Sequence, residues 1–204
     1  MQISPTSLMA NWRMEAERFA PALKVLTLHG SDRKARFAAI ADHDLVLTTY
    51  ALLPRDREVL TGQPWHALIV DEAQNVKNPD TNAARILRQL DTRQRFCLSG
   101  TPVENHLGEL WALMDFLNPG LLGERRHFAR AFRTPIEKND NAGRRQALSR
   151  RVRPFMLRRT KGQVAAELPP KTEIIEPIVM ETAQSAVYEA VRLTMHRKGR
   201  EAVA

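Results

Sequence analysis

The segment His66-Ala67-Leu68-Ile69-Val70-Asp71-Glu72-Ala73-Gln74 places two adjacent carboxylates directly after a short apolar run. A buried strand ending in Asp-Glu delivers both groups to the C-terminal edge of a parallel sheet, where open α/β folds bind ligands. There Asp71 can hold the magnesium of a nucleoside triphosphate, and Glu72 can orient or polarise an attacking water. The plainer reading is an acidic cap on the segment that follows, because carboxylates favour helix starts. A second cluster, Cys97-Leu98-Ser99-Gly100-Thr101-Pro102, follows the next strand. Ser99 and Thr101 would put two hydroxyls at that same edge, and Gly100 would permit a tight turn with close backbone approach. Such a loop can sense a metal–phosphate site and pass its state to a partner.

Two further segments set hydroxyls where a strand gives way to a loop: Pro5-Thr6-Ser7, and Thr48-Thr49 at the end of Asp44-Leu45-Val46-Leu47. With backbone N–H groups at a helix start, Thr6, Ser7, Thr48 and Thr49 can hold the phosphates of a nucleic-acid strand. Capping is the competing role for each of them. None of the nine glycines is followed by lysine, so the chain has no G-x-x-x-x-G-K-[ST] phosphate loop, and it has no G-x-G-x-x-G. The six histidines show no metal-ligand pairing, and Trp12, Trp65 and Trp111 read as packing residues rather than a base-stacking platform.

The elements that must position these residues follow from periodicity. Residues 7–19 read as a helix with Leu8, Trp12, Ala16 and Phe19 on one stripe and Ser7 as cap. Short apolar strands are expected at 24–28, 44–48, 67–70 and 96–98, with helices over 32–41 and 81–90. Strands alternating with helices predict an α/β fold with a parallel, doubly wound sheet, and near-continuous apolar strands agree with burial on both faces. Only Met1-Gln2-Ile3 precedes Ser4-Pro5, so the first strand looks cut. Asn118-Pro119-Gly120 is a strong break. Beyond it the chain is helical and Arg-rich up to Pro169-Pro170, with a strand-like run at 173–180 and a helix from about 183 to 197.

With 43% hydrophobic and 26% charged residues the chain has the composition of a soluble globular protein. No apolar run is long enough for a membrane span, and no secretory signal precedes Ser4. A single cysteine excludes an internal disulfide. A cytoplasmic setting is expected, nucleoid-associated if the source is bacterial. The formal net charge is +8, and residues 119–170 hold 13 Lys/Arg against 4 Asp/Glu, leaving 18 against 19 elsewhere. All of the excess positive charge therefore lies in one block, which suits either a polyanion partner or a solvated helical surface.

Taken together the motifs resemble the Swi/Snf-like ATPases of helicase superfamily two. Pro5-Thr6-Ser7-Leu8 with Asn11-Trp12 is similar to motif Ia, and 44–50 to motif Ib. The Asp-Glu-Ala-Gln box with its tail Asn75-Val76-Lys77-Asn78-Pro79 is similar to motif II, and 98–105 continuing to Glu109-Leu110-Trp111 to motif III. Asp115–Pro119 and Phe155-Met156-Leu157-Arg158-Arg159-Thr160-Lys161 look like later family signatures.

The resemblance implies an incomplete first RecA-like lobe over 1–118, a basic helical protrusion over 119–170, and the start of a connection to a second lobe over 171–204. It implies ATP and Mg2+ as ligands of the complete protein, double-stranded DNA as partner, and the absent ATPase segments as the rest of the machine. Gln74, Ser99, Gly100 and Thr101 would couple to ATP, while Arg158, Arg159 and Lys161 would join Pro5, Thr6, Ser7, Thr48 and Thr49 on nucleic acid. Family members translocate along DNA and remodel protein–DNA complexes. A DNA-binding or partner-binding remnant without catalysis is the alternative.

Overall fold

The computed structural model describes residues 1–101, 103, 105–159, 163, 176 and 182–201. Two compact units divide the chain, Met1–Leu157 and Arg158–Ala204.

The first unit is built on five strands: β1 (Gln2–Ser4), β2 (Val25–Thr27), β3 (Leu45–Thr49), β4 (Trp65–Val70) and β5 (Thr92–Cys97). They form one sheet in the order β2-β3-β1-β4-β5 with every pairing parallel. The short β1 occupies the centre, with all three of its residues buried between β3 and β4. Register is what assembles the functional edge. Ser4 lies opposite Thr49, Ile3 opposite Val70, and Val70 opposite Cys97. The loops after β1, β3, β4 and β5 therefore leave the sheet side by side.

Chain segments between the strands cover the sheet. A 3-10 turn at Thr6–Leu8 leads into α1 (Met9–Phe19). Ser7 makes no capping hydrogen bond, contrary to expectation, because Pro5 and Leu8 flank the two starts. Phe19 also leaves the expected stripe. It is 72% exposed, its ring under the Arg18 guanidinium at 5.0 Å, and only Met9 of α1 is fully buried. Helix 32–41 forms as a 3-10 segment, Ser31–Asp42. Its buried Arg33 forks onto Asp56, Nε to Oδ2 at 2.8 Å and Nη2 to Oδ1 at 2.9 Å, just before α2 (Arg57–Thr61). Thr81 caps α3 (Asn82–Gln89) by accepting the Ala84 N–H at 3.2 Å.

Helix α4 (Leu107–Leu117) serves two cores. Leu113 and Phe116 join the sheet's apolar cluster with Ile3, Leu68 and Val70. Leu110 and Met114 join a second cluster with Leu122, Phe128, Phe132, Leu148 and Val152. The latter come from α5 (Arg125–Phe128) and the turn before it, a π-helical turn at Ala129–Arg133 and, beyond α6 (Thr134–Asn139), α7 (Ala142–Val152), while Ile136 of α6 packs against them half-buried. The Arg-rich segment thus folds as amphipathic helices, apolar toward α4, with Arg144, Arg145, Arg150, Arg151 and Arg153 exposed.

In the second unit, helix Thr182–Glu201 is described. The strand-like run at 173–180 lies outside the described residues except for Glu176. Among the described residues no helix is long and apolar enough to cross a membrane.

Candidate active site at the sheet edge

Asp71 is the first residue after β4. Its N–H donates to the Ile3 carbonyl at 2.8 Å, which extends the sheet by one bond and fixes the backbone. Each carboxylate oxygen accepts one hydrogen bond: Oδ1 from the Glu72 N–H at 2.9 Å, Oδ2 from the Trp12 indole Nε1 at 2.7 Å. The Tyr50 hydroxyl, one residue past β3, donates to the Asp71 carbonyl at 2.6 Å and reaches the Glu72 carbonyl at 3.4 Å. Burial raises the Tyr50 pKa well above its usual value, and the nearby Cys97 and Asp71 add to the rise. The phenol therefore stays protonated, and a donor, throughout the physiological range.

Glu72 sits at φ 51°, ψ 55°, the left-handed region. A non-glycine residue there costs about 1–2 kcal/mol, and strain of this kind concentrates at functional sites. Although Glu72 precedes the 3-10 turn Ala73–Val76, its side chain makes no capping hydrogen bond, so the capping reading fails for it. Asp71 Oδ1 takes only the adjacent N–H.

The loop after β5 runs alongside. Leu98 N–H donates to the Val70 carbonyl at 2.8 Å, and Ala73 N–H to the Leu98 carbonyl at 3.0 Å, which locks the two loops together. Ser99 Oγ accepts the Thr101 N–H at 3.2 Å, while Gly100 and Thr101 are exposed. Gly100 has no positive φ, and a Cβ on it would meet nothing within 4 Å among the described residues. The Ser99 side chain closes the turn by accepting the Thr101 N–H. Burial pushes the Cys97 thiol up to about 12, which leaves it an unreactive core group. Gln74 is exposed on the 3-10 turn.

Thr6 and Ser7 are exposed on the turn after β1, with Pro5 half-buried behind them. Thr48 and Thr49 are buried inside β3, at 0% and 2% exposure, and the Thr48 hydroxyl points to the Leu28 carbonyl at 3.5 Å. Neither hydroxyl faces solvent in this conformation, because β3 continues one residue beyond its expected end. Arg158 and Arg159 are exposed at the start of the second unit, and Lys161 lies outside the described residues. Trp12 and Tyr50 are the contributors that the sequence reading placed in motifs Ia and Ib without a role at the site. The available signal was their type: a half-buried indole or phenol brings a polar tip that must find a partner.

The donor set fits a magnesium–phosphate ligand. Among the described residues no three His, Cys, Asp or Glu side chains group to cage a metal. Mg2+ is ordinarily held by one or two carboxylates with phosphate oxygens and water completing the shell, and Asp71 offers a fixed, half-buried carboxylate with lone pairs to spare.

The SNF2-related domain model matches residues 1–203. The chain belongs to the SNF2-related family. YwqA of Bacillus subtilis, named as an ATP-dependent helicase/translocase, is 42% identical over 193 residues, covering 92% of this chain and 21% of YwqA. The ISWI chromatin-remodeling complex ATPase CHR11 of Arabidopsis thaliana is 32% identical over 196 residues, covering 94% of this chain and 18% of CHR11. The SWI2/SNF2 ATPase core of Sulfolobus solfataricus in complex with double-stranded DNA superposes with a TM-score of 0.71 at 43% identity, over 78% of this chain and 33% of that one. The chain thus spans about a fifth of these two relatives and a third of that core. Its parallel sheet with flanking helices is that of the SNF2 RecA-like core.

Proposed function

We propose that this SNF2-family chain supplies the magnesium-and-water half of an ATP site in a motor that translocates along double-stranded DNA and remodels protein–DNA complexes. The observation that carries the reading is the shared sheet edge. Asp71 and Glu72 stand beside the exposed Thr6–Ser7 turn and the Ser99–Thr101 loop, so nucleotide and DNA phosphates can be gripped by neighbouring loops of one rigid sheet.

In this reading Asp71 would hold Mg2+, which when bound would supply positive charge to the phosphoryl oxygens. Glu72 accepts a hydrogen bond from the attacking water and draws off its proton. Ser99 and Thr101 register the state of the phosphates beside them. The remaining parts of the site, a phosphate-binding loop and the arginines of a second lobe, belong to the complete protein. A missing arginine finger alone lowers phosphoryl transfer roughly 10³–10⁵-fold. The 204-residue chain by itself is therefore expected to show no DNA-stimulated ATP turnover in a phosphate-release assay, and measurable turnover would overturn the division of the site proposed here.

DNA contact itself is testable on this chain. The exposed arginines of α7, with Arg153 directly after it, form a second surface for phosphates, and each neutralised phosphate steepens the salt dependence of binding. Arg151 lies 5.7 Å over the Phe132 ring and is best left in place. Arg144→Glu with Arg150→Glu and Arg153→Glu is expected to flatten the slope of log affinity against log salt by about 2–3 for a DNA duplex, read by fluorescence anisotropy. An unchanged slope would confine DNA contact to the sheet edge. ATP-independent binding carried wholly by α7, with no contribution from Thr6 or Ser7, would favour a non-catalytic DNA-binding remnant.

A further inference from the structure

Two residues, one in the helix after the exposed Thr6–Ser7 turn and one just past β3, are bonded to the residue assigned to the metal. Trp12 lies in the first turns of α1, which starts directly after the Thr6–Leu8 turn, and its indole N–H reaches Asp71 Oδ2 at 2.7 Å across 59 residues of sequence. Tyr50 follows Thr48-Thr49 immediately and holds the Asp71 carbonyl at 2.6 Å. One segment therefore grips the Asp71 side chain and the other its backbone. An indole N–H can only donate, so the contact is a charge-assisted bond of the short, strong kind. It sets the rotation of the carboxylate. Next in the chain is Glu72, held in a strained left-handed conformation, the kind of element that a small shift of its neighbour can tip.

Resting on the translocase reading, we propose that Trp12 is a positioning residue that transmits DNA occupancy of the Pro5–Ser7 turn to the Asp71 carboxylate, with Tyr50 holding the Asp71–Glu72 backbone as the fulcrum. A phosphate gripped by Thr6 and Ser7 shifts the start of α1, and Trp12 carries that shift to Oδ2. Energetic coupling between two sites is reciprocal, so whatever DNA does to Asp71, a change at Asp71 must do to DNA affinity through the same contact.

The test uses the 204-residue chain labelled with 15N-tryptophan, whose three tryptophans give three indole signals. Trp12→Phe, which keeps an aromatic ring but deletes the donor, identifies one of them. Asp71→Asn should move that signal upfield and leave those of Trp65 and Trp111, bonded to the Leu60 and Gly123 carbonyls, in place. A short DNA duplex at saturation, established by anisotropy, should move the Trp12 signal as well. In a double-mutant cycle, the effect of Asp71→Asn on duplex affinity should differ by about 5-fold or more between the parent chain and the Trp12→Phe chain, the lower end of typical allosteric couplings. Loss of the Asp71 charge acts in both backgrounds, so only their difference reads the contact. Duplex binding with an unmoved Trp12 signal, or equal effects in both backgrounds, overturns this inference and leaves the translocase reading standing. No duplex binding at all overturns both.

Discussion

Glu72→Gln is expected to lower ATP turnover of the complete motor roughly 10²–10⁴-fold, the range that a positioned proton acceptor contributes. Glutamine keeps the volume and a hydrogen-bonding oxygen but loses the negative charge that draws a proton from water, so nucleotide and DNA should bind nearly as before. The backbone supplies an unusual control. Glu72 is one of two non-glycine residues with positive φ among the described residues, the other being Asp140. Glycine adopts that conformation without steric cost. Glu72→Gly should therefore melt no lower than the parent chain while losing turnover as fully as the glutamine variant. A carboxylate retained at a strained position, where glycine would fold more easily, is the pattern expected when chemistry rather than stability selects the residue. Phosphate release and thermal melting read the two effects separately. Turnover within an order of magnitude of the parent would remove Glu72 from the chemistry.

The largest expected loss of stability comes from Phe116→Ala, at about 3–5 kcal/mol. Phe116 is fully buried, on the side of α4 that packs against the sheet. Its ring also carries the guanidinium groups of Arg88 and Arg95 at 5.8 and 5.2 Å from the centroid, and Arg95 Nη1 donates to the Phe116 carbonyl at 3.2 Å. Burial already lowers the Arg95 pKa, so a cavity there would leave a partly desolvated cation beside a void. Against a typical domain stability of about 5–15 kcal/mol, such a loss brings the fold close to its limit. Phe19→Ala, by contrast, removes a ring that is 72% exposed and should change stability by only about 0.5 kcal/mol. Urea denaturation of the two variants measures the contrast directly. Equal losses would mean that α4 is not the element joining the two apolar clusters.

Much of the site was legible because its signals are local. An apolar run ending in Asp71-Glu72, hydroxyls after successive strands, and the break at Asn118-Pro119-Gly120 are properties of neighbouring residues. They determine where strands end and which side chains follow them, and the alternation of strands with helices determines the parallel α/β class. Six motifs in order identified the family, and the SNF2-related match over residues 1–203 bears that out. What sequence could not supply was register and partnership. The central place of β1 and the burial of Thr48 and Thr49 one residue further along β3 than expected depend on strands brought together from distant parts of the chain. The bond from Trp12 to Asp71 is the clearest case. Periodicity assigns the indole to a helix face, but its partner is 59 residues away, chosen only when parallel register sets the ends of β1 and β4 side by side.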